Sequence, residues 1–486
     1  MFGWAVKRRE AIVHRSRERP LEPGGRAARR GYGTLHLLTP PEKHSERTQA
    51  EACTTLERPI GPVRATAMVA GIIIGASIFV QPSEINRHVP SVAGVLSVWI
   101  AAGMLTLFGA LVCAEFSSAL PLTGGVYVFL KETLSPWCGF LWGWAMFWSA
   151  HSGIIAASAV ILARYVAYFV PMDDAGIRMT AIAGILLLSY VNHRGVRQGS
   201  MLQTVVTVTK VAAIAVLLVM VFAAAPPPDS AVAHAAAPPV PFREFVLAVS
   251  AALFTYGGWH MVTYTAGETR APEKTIPRSL VAGSLIVTVC YVALNSAYLY
   301  LLPLEKVVTS KRVAADAAQA MAGVRGGAIV SALVILSASG VLNGVILAGP
   351  RTYFAMADDG MGFAWMRWLH PRFHTPSRTI ALQAAWSCVL VATGTYRALY
   401  TRVVYTEWLF FALMGVGLYR LRARPGYRPV FRMWGYRVVP LLFIAASVVV
   451  AVIQIAADPA QSAAGLAIVV LGLPVYFLIR TKHANH

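Results

Sequence analysis

Lys210 lies in the run "TVVTVTKVAAIAVLLVM", residues 204–220, with no other charged residue in it. In the core of a membrane, a lysine on a helix costs on the order of 2.5–3.5 kcal/mol even on insertion-based scales. It sits about 15 Å along the helix from its start near Met201, at 1.5 Å per residue, too deep for its side chain to reach the interface comfortably. A partner inside a helical bundle must therefore receive the ammonium. No acidic residue is expected at the same depth in any span. The expected partners are backbone carbonyls freed where a helix unwinds, with the hydroxyls of Ser337 and Ser339. The competing reading is a lysine that faces lipid, or a helix boundary displaced by a turn.

Two segments can supply such carbonyls: "GIIIGASIF" from Gly71 to Phe79 and "FTYGGW" from Phe254 to Trp259. Glycine weakens a helix and tolerates unwound geometry. After a break at Gly75 the next half-helix would begin with free N–H groups of Ala76, Ser77 and Ile78, a partial positive charge suited to a carboxylate. Before the breaks, carbonyls around Ile73 and Phe254 would suit an ammonium. A site made this way fits the two main-chain charges of an amino acid. Small residues also let intact helices pack closely, so unwound and close-packed readings both stand at this level.

The elements that must position these residues are membrane helices. The chain has 486 residues, 57% hydrophobic and 13% charged, which leaves too little polar surface for a water-soluble fold. Apolar runs long enough to cross about 30 Å of hydrocarbon recur along it. Twelve spans are predicted near residues 64–81, 92–120, 137–168, 177–191, 201–224, 243–266, 280–302, 328–357, 379–394, 404–420, 438–456 and 462–479. The two glycine-rich segments fall in the first and sixth spans. Interrupted spans at corresponding places in two halves point to an inverted-repeat transporter with its site near the bilayer midplane.

The formal net charge of +20 is concentrated in particular connections. Thirteen of the 42 Lys and Arg lie in the first 64 residues, and the others favour alternate connections, with a dense cluster at Arg420, Arg422, Arg424, Arg428, Arg432 and Arg437. This is positive-inside patterning with both termini in the cytoplasm, and it argues against a nucleic-acid surface. Residues 1–56 are rich in Arg, Glu, Pro and Gly and are read as a basic disordered cytoplasmic tail, or as the product of a start assigned too far upstream. The transporter core is then divided as 57–302, 303–424 and 425–486, the last holding the eleventh and twelfth spans. Cys53, Cys113, Cys138, Cys290 and Cys388 show no paired spacing, so neither a disulfide framework, a metal site nor a cofactor is expected.

The motifs "GIIIGASIF", "AEFSSALPLTGGVYVFL", "ALFTYGGWHMVTYTAGETRAPEKTIPRSL", "GVLNG" with "RTYFAMADDGM", "LHPRFHTP" and "RPGYRPVFRMWGYRVVPLLFI" follow one another from about residue 57 to 480. In this order they resemble the amino acid, polyamine and organocation transporters, and within them the L-type amino acid transporter branch and its bacterial relatives. The resemblance implies an all-α, LeuT-like fold of twelve helices in a five-plus-five inverted repeat, discontinuous in helices 1 and 6. It implies alternating access with sodium-independent exchange or proton-linked uptake. Gly75, Ala76 and Ser77 match the family's carboxylate-binding Gly-Ser-Gly; Ile73, Phe254 and Gly257 match its ammonium-binding carbonyls; and Phe254 matches its aromatic gate. Lys210 matches the lysine that occupies a sodium position and links the first, fifth and eighth helices.

Ser77 departs from the family's usual glycine, which would restrict substrate size or add a hydroxyl donor. The stretch "YFVPMDDAGIR", residues 168–178, has no cysteine, whereas animal L-type light chains use one there to join a heavy chain, so no such partner is expected. His260 is read as a packing histidine or a pH sensor. Glu115 and Glu268 are read as structural, in ion pairs or at helix ends, and Glu407 as lying near the outer end of the tenth span, structural or in a proton relay. Trp142, Trp144 and Trp148 read as interfacial or packing aromatics. The expected function is therefore a multi-pass cell-membrane amino acid transporter. Alternatives are a cationic amino acid or polyamine carrier, and a nontransporting membrane sensor of amino acids. No span groups Ser, His and Asp, or His and Glu, as an enzyme would require.

Overall fold

A computed structural model describes residues 58–223, 239–310, 312–393 and 396–484. The expected N-terminal tail, Cys53 and most of the Pro-rich connection before Phe242 lie outside these residues. The described chain is almost entirely helical; its only β pairing is one parallel bridge, Ile60 with Thr269.

The first helix, α1 (Pro62–Ile73), starts at a proline that needs no N–H partner and stops after twelve residues. A 3₁₀ turn, Ser77–Phe79, and a short helix α2 (Pro82–His88) follow it. Next come α3 (Val92–Ala119), capped by the Ser91 hydroxyl on Gly94 N–H at 3.1 Å, then α4 (Val126–Thr133) and α5 (Pro136–Ala145). A π turn over Met146–Ala150 joins α5 to α6 (His151–Val166), so the third expected span is one bent helix. Beyond it lie α7 (Asp174–His193) and α8 (Val196–Ala223), the helix that carries Lys210.

The sixth span is interrupted like the first. Helix α9 (Phe242–Thr255) ends at a turn, and the chain continues as a 3₁₀ segment, Trp259–Glu268. Gly258 makes the turn with φ of 89°, a left-handed conformation costly for any residue with a Cβ. The bundle is completed by α10 (Pro272–Leu301), α11 (Leu304–Thr309), α12 (Val313–Asp358), α13 (Ser377–Thr393), α14 (Tyr396–Arg422), α15 (Val439–Ala457), α16 (Pro459–Val470) and α17 (Gly472–Ala484). Helix α12 is kinked at Gly323, whose φ is 63°.

Eight of the described helices or helix pairs are long and apolar enough to cross a membrane. At the other four expected spans the structure places helices that fall short of this for identifiable reasons. The first and last spans are broken into pieces, α13 has only 17 residues, and α14 carries Glu407, Arg420 and Arg422. Helix α10 packs on both α1 and α3, and α12 packs on α1, α6 and α8, so the interrupted first helix lies inside the bundle.

Buried ion pairs tie distant helices together. Glu115, fully buried on α3, receives Arg422 of α14 in a two-pronged pair at 2.6 and 2.5 Å, with Tyr427 Oη at 3.0 Å and Met433 N–H at 2.9 Å. Glu268 is held by Arg351 of α12 at 2.5 and 2.9 Å. Both carboxylates are thus in structural ion pairs, and the Arg cluster after α14 is partly consumed in packing. Removing one member of a buried pair leaves the other charge uncompensated. Glu115→Ala is expected to destabilise the folded protein by about 3 kcal/mol or more, read as a lowered thermal transition in detergent; an unchanged transition would show the pair to be dispensable.

Candidate functional site

Helix α1 stops because its C-terminal residues leave helical geometry: Ile74 has φ of −68° and ψ of 84°. The carbonyls at this end are therefore released from the helical ladder. Lys210, with no exposed surface, donates its Nζ to Gly71 O at 2.7 Å and to Ile74 O at 2.5 Å. Ser337 of α12 donates to the same Ile74 carbonyl at 3.1 Å. Helices α1, α8 and α12 thus meet at one cluster of unwound backbone. Ser339, expected beside it, is not there; its hydroxyl turns back to Leu336 O of its own helix at 2.7 Å. Two residues after Ser337 on a helix is about 200° round, so both cannot face one point.

The approach of α1 to α8 needs glycine. A Cβ on Gly71 would come within 2.0 Å of Thr207 Oγ1. Thr207 itself donates to Ala67 O at 3.1 Å, a second bond from α8 to the backbone of α1. Around these, Asn343 joins Gln203 at 3.0 Å and Asn192 at 2.9 Å, so α7, α8 and α12 share a buried amide network.

The two interruptions are connected by a residue that the sequence did not single out. Tyr291 of α10 places its hydroxyl 2.6 Å from Ile73 O and 3.1 Å from Thr255 O, the last residues of α1 and α9. Its ring is fixed between Tyr256, at 4.9 Å between centroids, and Trp99 at 5.4 Å. In sequence it is one of several tyrosines in an apolar run, with no spacing that marks it.

Between the breaks lies a cavity of about 40 Å³, room for about three waters. Gly75, Ala76 and Ser77 form one wall; Phe254, Gly257 and Gly258 form another. The N–H groups of Ala76, Ser77 and Ile78 donate to nothing among the described residues. Ile73 O accepts from Tyr291, and Phe254 O accepts from Gly257 N–H at 3.1 Å, so both carbonyls are turned toward the breaks rather than into a continuing helix. Val341 and Val345 of α12 and Ser158 of α6 contribute further wall.

Glu407 also lines this cavity, beside Trp408. The sequence reading put it near the end of its span because that span was started at residue 404. The helix begins at Tyr396, which makes Glu407 a mid-helix residue, and the expectation of no acidic group at this level is corrected. His260 packs among Trp142, Trp259, Tyr264 and Phe411, and neither ring nitrogen has a hydrogen-bond partner among the described residues. Trp142 is fully buried in that same cluster, while Trp144 donates to Ile468 O at 2.8 Å and Trp148 packs on Trp386, so all three are packing residues.

A cavity between two interrupted helices in an apolar bundle defines a membrane transport protein of the broken-helix kind. The family model described as amino acid permease matches residues 60–477, and the chain belongs to that family, in the amino acid, polyamine and organocation superfamily. It is 30% identical over 435 residues to the serine/threonine exchanger SteT of Bacillus subtilis, covering 88% of this chain and 98% of that protein. It is 29% identical over 471 residues to the human large neutral amino acids transporter small subunit 2, covering 92% and 86%. The human cystine/glutamate transporter is 26% identical over 435 residues, covering 87% and 85%. These relatives place the chain with the L-type branch and its bacterial members, and they are transporters rather than enzymes.

Tyr291→Phe removes the donor from both helix ends while preserving the ring. It is expected to cost about 1–3 kcal/mol and to speed amide hydrogen exchange in residues 72–76 and 254–258. Exchange unaltered at both segments would contradict the bridging role.

Proposed function

We propose that this protein is a secondary active amino acid transporter that works by alternating access, independently of sodium, as an exchanger or with protons. The observation that carries the reading is the Lys210 ammonium on Gly71 O and Ile74 O, a fixed positive charge on carbonyls of an interrupted helix beside the cavity. A cation is already in place there, so no metal ion is needed to neutralise those oxygens. The substrate carboxylate binds the N–H groups around Gly75, Ala76 and Ser77, and its ammonium binds carbonyls at Ile73, Phe254 and Gly257. Phe254 covers it as a gate. The kinship with a serine/threonine exchanger and a large neutral amino acids transporter subunit supports the substrate class.

The same reading takes the chain to span the cell membrane twelve times in a five-plus-five inverted repeat, with both termini in the cytoplasm. It acts without a disulfide-linked heavy chain, since residues 168–178 hold no cysteine. The cavity of about 40 Å³ fits a closed state, so walls at Phe254 and α14 must move before an amino acid enters.

In proteoliposomes loaded with unlabelled amino acids, uptake of labelled serine or threonine is expected, unchanged when choline replaces sodium. Lys210→Ala is expected to reduce exchange to background while insertion is retained. A fully active Lys210→Ala would remove the coupling role, and strict sodium dependence would overturn the sodium-independent mechanism.

A further inference from the structure

The substrate's side chain is the part of the ligand that backbone atoms at the breaks do not address. Around the cavity, the residues from α6 and α12 are small or apolar: Ala157, Ser158, Val341 and Val345. Glu407 is different. It is 3% exposed, its Oε1 has no hydrogen-bond partner, and neither oxygen takes part in a hydrogen bond or ion pair among the described residues. Lys210 cannot serve it, because its ammonium is committed to Gly71 and Ile74 and it is not part of the cavity wall. A buried carboxyl oxygen without a donor is costly, and a ligand that supplies one recovers that cost.

We propose that Glu407 reads the substrate's side chain and selects a short, neutral one that donates a hydrogen bond, such as a hydroxyl. This rests on the amino acid transport reading above. An amino acid with its main chain at the two breaks has its Cα substituent in a space small enough to bring it against α14. An apolar side chain of the same shape leaves Oε1 orphaned, and a site with an unpaired polar group discriminates strongly against such isosteres. An anionic side chain brings Oε1 no donor. A net cation is disfavoured on the way in: a vestibule of about 1020 Å³ shares Ile161 with the cavity and is walled by Arg164, Lys306 and Arg312 against a single acidic residue, Asp316. Small volume and basic approach together leave the neutral donor.

Threonine and valine are nearly isosteric and differ by the hydroxyl, so their uptake ratio in proteoliposomes tests the assignment. The wild-type protein is expected to favour threonine by at least about tenfold in kcat/KM, and Glu407→Leu is expected to bring the ratio to within about threefold. Should Glu407→Leu fail to insert, Glu407→Gln in the same assay is expected to lower the ratio several-fold. A ratio that is the same in wild type and variant overturns the assignment. So does a variant that keeps its ratio but loses acceleration by an inward proton gradient, which would make Glu407 a proton carrier. If wild type carries valine as well as threonine, selection at Glu407 is overturned while amino acid transport stands; if it carries no amino acid, both readings fall.

Discussion

The structure depends on how one ammonium is accommodated. Lys210 is fully buried, and no carboxylate among the described residues is bonded to it. Its charge is balanced by the negative ends of peptide dipoles, available only because α1 stops at Ile73. The interruption and the lysine therefore need each other. A continuous α1 would return its carbonyls to the helical ladder and strand the charge, while a neutral residue at 210 would leave Gly71 and Ile74 oxygens without that donor in a dry interior.

From this point the arrangement spreads outward through backbone as much as through side chains. Thr207 holds α1 at Ala67 and Ser337 holds its end at Ile74, from two different helices, and Tyr291 passes the constraint to the end of α9. The cavity is what remains between two helix ends fixed in this manner. Its chemical character comes from exposed peptide groups at the breaks and from the few side chains that complete the wall. Farther out, the pairs Glu115–Arg422 and Glu268–Arg351 join helices separated widely in sequence.

Much of this was legible in the residues. Lys210 announced a receiving group because charge in an apolar run is expensive, and the glycines of 71–75 and 257–258 marked where helices could open. Ser337 shares the Ile74 carbonyl with Lys210 rather than bonding the ammonium, and Ser339 turns back on its own helix, because sequence proximity cannot say which of two residues faces a given helix until its rotation is fixed. Glu407 was misplaced because polar residues at the start of α14 hid the true helix start, and an error of about two turns moves a side chain from the middle of a span to its end. Tyr291 carried no signal, since its role arises from the meeting of three helices far apart in the chain. The span count is weakest at broken or charged helices, where apolar length is divided or interrupted.

The parallel bridge at Ile60 has a different kind of consequence. Ile60 N–H donates to Glu268 O at 3.2 Å and Arg270 N–H donates to Ile60 O at 2.9 Å, so two main-chain bonds lace the strand entering α1 to the one leaving the 3₁₀ segment. Lacing of this sort is blind to side-chain identity. Residues 60 and 270 can drift freely through evolution so far as these two bonds are concerned, with proline the one replacement that deletes a donor and unties the seam.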